Sequence, residues 1–112
     1  MVDVSGRDEI IKRKILCEIS DIEKFISGMN EDDFYTDVKT QKAVAMSLIN
    51  IGELSKALSD AYTNSKKNVP WKKVQAMRNV VAHKYESVDM QIVWNTIQIS
   101  VAELKKELAL DN

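Results

Sequence analysis

The segment RNVVAHKY, Arg78 to Tyr85, gathers the side chains of this sequence best suited to acid–base and phosphate chemistry. It holds the only histidine of the chain, His83, with Arg78 before it and Tyr85 just after it. An imidazole can move a proton near neutral pH, and a guanidinium stays charged and can brace a phosphate. No carboxylate occurs from Ala61 through Tyr85, where an even spread of the acids would place about four. The same segment carries Lys66, Lys67, Lys72, Lys73, Arg78 and Lys84, so it holds +6 while the rest of the chain holds −7. A chain of net charge −1 is thereby polarised, as a phosphate-handling surface requires. A solvated lysine face would give the same count, so charge alone does not decide.

Geometry sharpens the question. At about 100° per residue, Arg78 and His83 lie roughly 140° apart on a straight helix, whereas Arg78 and Tyr85 share a face. Asn79 and His83 are neighbours one turn apart. Arg78 and His83 of one chain are therefore not expected to converge unless the helix ends between them. Cleavage of RNA by its own 2′-hydroxyl is served best by a base and an acid together, and one chain supplies one histidine. A two-fold dimer meets both difficulties by bringing two His83 and two Arg78 to a shared cleft. Taken alone, a single helical histidine is more often a satisfied structural imidazole. One His, one Cys and no clustered carboxylates near His83 supply no credible metal-ligand set, and no cofactor is expected.

The elements that must position these residues are helical. Ile11, Ile15, Ile19, Ile22 and Ile26 recur at three- and four-residue steps, predicting a helix from about Arg7 to Ile26. Lys12, Glu18, Asp21 and Lys24 are expected to face water, Ser5 to cap the helix and Gly28 to stop it. NEDDF caps a short turn or one-turn helix. A long second helix is expected from about Asp37 to Tyr62, with Val44, Leu48, Ile51, Leu58 and Tyr62 on one face. Its other faces hold Ala43, Ala45, Met46, Ile49 and Leu54, which makes it the central helix, buried on more than one side. NSKKNVP is the clearest linker, and Pro70 suits the first turn of a following helix from Trp71 to about His83. A last helix starts after Ser87 or Asp89 and carries Val93, Ile97, Val101, Leu104 and Leu108. No strand-like alternation occurs, so the fold class is all-α, an up-and-down bundle of four to five helices. Trp71 and Trp94 suit either the core or a subunit interface.

With 112 residues the chain suffices for one domain with its own core and not for two, so residues 1–112 are expected to form a single domain. The lone Cys17 excludes an intrachain disulfide and is expected to be a packed thiol in a reducing compartment. The N-terminus lacks a signal-peptide pattern, and no apolar run approaches the roughly 20 residues of a membrane helix. A cytoplasmic protein is expected.

RNVVAHKY is an intact R-x4-H-x-Y motif, and it resembles the signature of HepT toxins in the HEPN superfamily. NIGEL (Asn50 to Leu54), VPWKKVQAMRN before the motif and VWNTI in the last helix are similar to that family too. The resemblance spans about the last two-thirds of the chain. It implies a compact helical homodimer, joined through the motif-bearing helices, and a metal-independent ribonuclease. Arg78 would then stabilise the charge of the transition state, His83 would carry the proton, and Asn79 would hold or orient one of them. It further implies a small nucleotidyltransferase antitoxin of the MntA type, which moves AMP from ATP onto Tyr85. RNA would be drawn in by Lys72, Lys73 and Lys84. The alternative, from a different class, is a non-catalytic helical dimer that binds nucleotide or serves as a subunit of a nucleotidyltransferase.

Overall fold

The computed structural model describes residues 4–110. Among them there is no strand, and the chain is an all-α bundle. Helix α1 (Val4–Phe25) buries Ile11, Ile15, Ile19 and Ile22, as the stripe predicts. Val4 is already helical, so Ser5 lies within the helix and does not cap it. Gly28 does stop the run: it is the one described residue with a positive φ (79°), and Met29 N donates to Ile26 O across the turn at 2.9 Å.

Two further expectations for α1 fail. Lys12 is 2% exposed and does not face water. It continues the Asp8–Ile15–Ile19 side of the helix, so its stem is buried while its ammonium reaches Glu9 Oε2 at 2.8 Å. That hydrogen bond from Lys12 holds the Glu9 carboxyl below its ordinary range. Cys17 is exposed, not packed. It lies two residues from both Ile15 and Ile19, and so projects from the opposite side of the helix.

Helix α2 (Glu31–Thr36) opens with a reciprocal capping box, Asp33 N donating to Asn30 Oδ1 (2.9 Å) and Asn30 N to Asp33 Oδ2 (3.1 Å). It buries Phe34 against Trp94, with ring centroids 5.4 Å apart, which places Trp94 in the core. Helix α3 (Val38–Ala57) is central: Val44, Ala45, Leu48, Ile51 and Ser55 are buried, and it packs on both α1 and α5. Met46 is the exception, 57% exposed.

The long helix expected to reach Tyr62 breaks at Leu58 and Ser59. The Asp8 carboxylate accepts from Ser59 N (2.9 Å) and Ser59 Oγ (2.6 Å), and Ser59 Oγ in turn accepts from Tyr62 N (3.1 Å). Ser59 thereby caps a new short helix, α4 (Asp60–Ser65). Trp71 closes the following turn by donating Nε1 to the carbonyls of Thr63 and Lys66, both at 3.1 Å. Its indole is half-buried against the core.

Helix α5 (Trp71–Lys84) follows Pro70 and passes into a 3₁₀ turn (Tyr85–Ser87). Asp89 caps α6 (Met90–Thr96), which runs on through a π-helical segment (Ile97–Val101) into α7 (Ala102–Ala109). Val93, Ile97, Val101, Leu104 and Leu108 are all buried. Two four-residue steps in succession would drift off one face of an α-helix. The looser π winding keeps them aligned. No helix among the described residues is long and apolar enough to cross a membrane.

Candidate functional site

Arg78 and His83 meet within one chain, contrary to the expected divergence. Arg78 Nη1 lies 3.2 Å from His83 Nε2, although α5 is continuous through Lys84. Helical side chains lean toward the N-terminus, so His83 tips back over the preceding turn. Five residues rise only about 7.5 Å along a helix, a distance an extended arginine spans. A guanidinium only donates, so this contact is a hydrogen bond when Nε2 is unprotonated and the imidazole proton sits on Nδ1. Arg78 Nη1 also donates to Asn79 Oδ1 at 3.3 Å, which pairs Asn79 with the arginine rather than with His83.

The third partner of Arg78 comes from α3. Glu53 Oε1 lies 2.6 Å from Arg78 Nε, so the segment that is free of carboxylates in sequence is not so in space. The contact is ionic: the Nε–H does not point at the carboxylate, and the solvent-shielded Nε has no hydrogen-bond acceptor among the described residues. Glu53 is 52% exposed and Arg78 30%. The close approach of α5 to α3 here depends on Gly52, where a Cβ would stand 2.5 Å from Arg78 Cβ. Sequence reasoning missed both residues as parts of the site. The available signal was a glycine inside an otherwise strong helix, next to an acid, which often marks a close crossing.

Tyr85 begins the 3₁₀ turn and is half-buried beside Lys42, Ala45, Met46, Ile49 and Val81, which border a groove of about 280 Å³. Its hydroxyl has no hydrogen-bond partner among the described residues. Lys72 and Lys73 are exposed but stand in the first turn of α5, at the end remote from His83. The side chain of Lys84 lies outside the described residues. Between α3, α5 and the terminal helices runs an apolar groove of about 250 Å³, bordered by Leu48, Met77, Val80, Thr96 and Val101. No three His, Cys, Asp or Glu side chains gather as metal ligands among the described residues.

A helical bundle with an Arg–Asn–His cluster at the end of one helix defines a protein of the HEPN class. The family profile described as ribonuclease HepT-like matches residues 15–110, and the chain belongs to that family. Methanocaldococcus jannaschii has a relative, provisionally named an RNase, that is 37% identical over 84% of this chain and 78% of its own. A probable ribonuclease HepT of Thermococcus cleftensis is 34% identical over 75% of this chain and 76% of its own. Another provisionally named RNase, from Caldanaerobacter subterraneus subsp. tengcongensis, is 33% identical over 84% of each chain. No solved structure matches. The chain is accordingly a ribonuclease of the HepT-like kind.

Proposed function

We propose that this protein is the toxin of a HEPN and minimal-nucleotidyltransferase pair: a single-domain, cytoplasmic, metal-independent RNA endonuclease. The observation that carries the reading is the 3.2 Å contact between Arg78 Nη1 and His83 Nε2. It sets a permanent cation beside a proton-transfer group at an exposed helix end, the two elements that phosphodiester transfer requires. In the proposed reaction the 2′-oxygen of the RNA attacks the adjacent phosphorus and the 5′-oxygen leaves. His83 moves a proton, and Arg78, steadied by Asn79, neutralises the charge that builds on the phosphoryl oxygens. A second His83, from the partner of a homodimer, supplies the complementary proton step. Lys72, Lys73 and Lys84 raise the local concentration of RNA without reading its sequence.

The dimer is proposed through α5 and the terminal helices. Val80 is 44% exposed on α5, and Ile92 and Ile99, on the Thr96 side of the last helices, are 56% and 70% exposed. Val80 borders the apolar groove, and Ile92 and Ile99 are one turn from Thr96, which borders it too, so a second copy is proposed to cover the groove and bury them together. Neutralisation is proposed to follow transfer of AMP to Tyr85 by an MntA-type antitoxin, which brings negative charge to the site and fills space that RNA needs.

The decisive experiment is cleavage of RNA by the purified protein in the presence of a chelator, with Arg78→Ala and His83→Ala as controls. Each variant is expected to lose about 10²–10⁴ in rate while keeping its helical circular dichroism. Undiminished cleavage by both variants would overturn the assignment.

A further inference from the structure

We propose that Glu53 is a positioning residue of the ribonuclease site, holding the Arg78 guanidinium in the orientation in which it meets His83 and phosphate. This rests on the reading of Arg78 as the phosphate-bracing group. Glu53 reaches Arg78 across the α3–α5 crossing, with Oε1 2.6 Å from Nε. Among the described residues, Arg78 is the only side-chain polar partner of Glu53, of Asn79 and of the His83 ring.

The energetics argue for placement over fold stability. Glu53 is 52% exposed and Arg78 30%, and an ion pair this open to solvent is screened and adds little to stability. Yet the pair sits where Gly52 allows the two helices to approach so closely that a Cβ would collide with Arg78 Cβ at 2.5 Å. An arginine has four rotatable side-chain torsions and, unheld, samples many directions. Here the carboxylate draws the Nε side of the group by charge, while Asn79 and His83 hold Nη1 by hydrogen bonds. These contacts, at Nε and Nη1, restrict the directions the guanidinium can take. Nη2 donates to no group among the described residues, which leaves that corner of the fork for a phosphoryl oxygen.

The carboxylate also separates roles. Its charge is already committed to Arg78, so it orients the cation without taking the proton of the reaction. Loss of Glu53 should therefore lower the turnover of bound RNA more than its affinity, since the lysines that attract RNA are untouched.

The test compares Glu53→Ala, Glu53→Gln and Glu53→Asp in the full-length protein. Single-turnover cleavage of a short RNA is expected to slow about 10²-fold for Glu53→Ala with KM little changed. Glu53→Asp, which keeps the charge, should recover part of the loss, and the pH–rate profile should keep its shape at reduced amplitude. Because His83 is the only histidine, its ring nitrogens can be followed by ¹⁵N NMR without assignment. The Nε2 resonance should move in Glu53→Ala and stay near its parent position in Glu53→Asp. An unmoved imidazole signal would overturn the proposal whatever the rates do. So would disappearance of one limb of the pH profile in Glu53→Gln, which would make Glu53 a proton carrier. If the parent cleaves no RNA, the ribonuclease reading fails while the NMR comparison still decides whether Glu53 positions Arg78.

Discussion

Gly52 and Arg78 face each other across a close approach of α3 and α5: a Cβ built on Gly52 would lie 2.5 Å from Arg78 Cβ and 3.4 Å from its Cα. Replacing a mid-helix glycine by alanine ordinarily gains up to about 1 kcal/mol of helix propensity. Here the opposing atoms belong to the root of the arginine, with no flexible tip to swing away. Overpacking of this kind costs about 1–3 kcal/mol, so the steric term wins. Gly52→Ala is expected to unfold at lower denaturant concentration than the parent and to lose activity, because α5 must move outward with Arg78. A variant more stable than the parent would show that the helices part there freely.

The exposed Val80 tests the proposed dimer face. A charge on α5 at this position, which borders the apolar groove, should block burial of the face against a second copy. We expect the parent to sediment as a dimer at micromolar concentration, and Val80→Glu as a monomer that no longer cleaves RNA. The Arg78–His83 contact lies within one chain, so it should survive in that monomer. A fully active monomer would mean that one protomer carries a complete site.

How much of this was legible in the sequence depends on the reach of each interaction. The isoleucine stripe of α1 and the Val93–Leu108 stripe report burial locally, and both are found buried. The break at Ser59 is set by Asp8, a residue of another helix far back in the chain, and periodicity contains no trace of it. Lys12 read as solvated because hydropathy cannot distinguish a buried stem from an exposed head. On α5, spacing singles out Arg78 and His83 as candidates but sets them on different faces, whereas the structure brings Arg78 to both Asn79 and His83. A helical wheel gives the direction of Cβ and ignores the length of an arginine. Glu53, on α3, was invisible to a count of carboxylates along α5.

Asp37 supplies a pH dependence with a definite sign. It caps α3, where its carboxylate accepts from Thr40 N at 3.0 Å, and that backbone hydrogen bond is the main reason its pKa falls below the ordinary 3.8. A depressed carboxyl contributes stability above its unfolded value, and the contribution is lost as pH falls through the folded value. The stability gap between the parent and Asp37→Asn should therefore be constant near neutrality and close below about pH 3.8. Denaturant titrations of the pair across that range check it. A gap that widens in acid would have the wrong sign.

Tyr85 stands at the end of α5, in the 3₁₀ turn, half-buried but with a hydroxyl that no described group bonds. A phenol satisfied inside a core would resist modification, whereas this one has its oxygen uncommitted at a helix end. In the proposed transfer, that oxygen bonds to the α-phosphorus of ATP held by the antitoxin, and pyrophosphate leaves. One AMP joined to the tyrosine oxygen is a phosphodiester with a single negative charge, and each further AMP adds one more. Its bulk, more than its charge, is then what excludes RNA. Co-expression with the nucleotidyltransferase should add the mass of one or more AMP groups, seen in the intact-protein mass spectrum. The increment should vanish in Tyr85→Phe, and RNA cleavage should return in that variant despite the partner's presence. A silent complex with unmodified Tyr85 would mean that the antitoxin inhibits by covering the cleft instead.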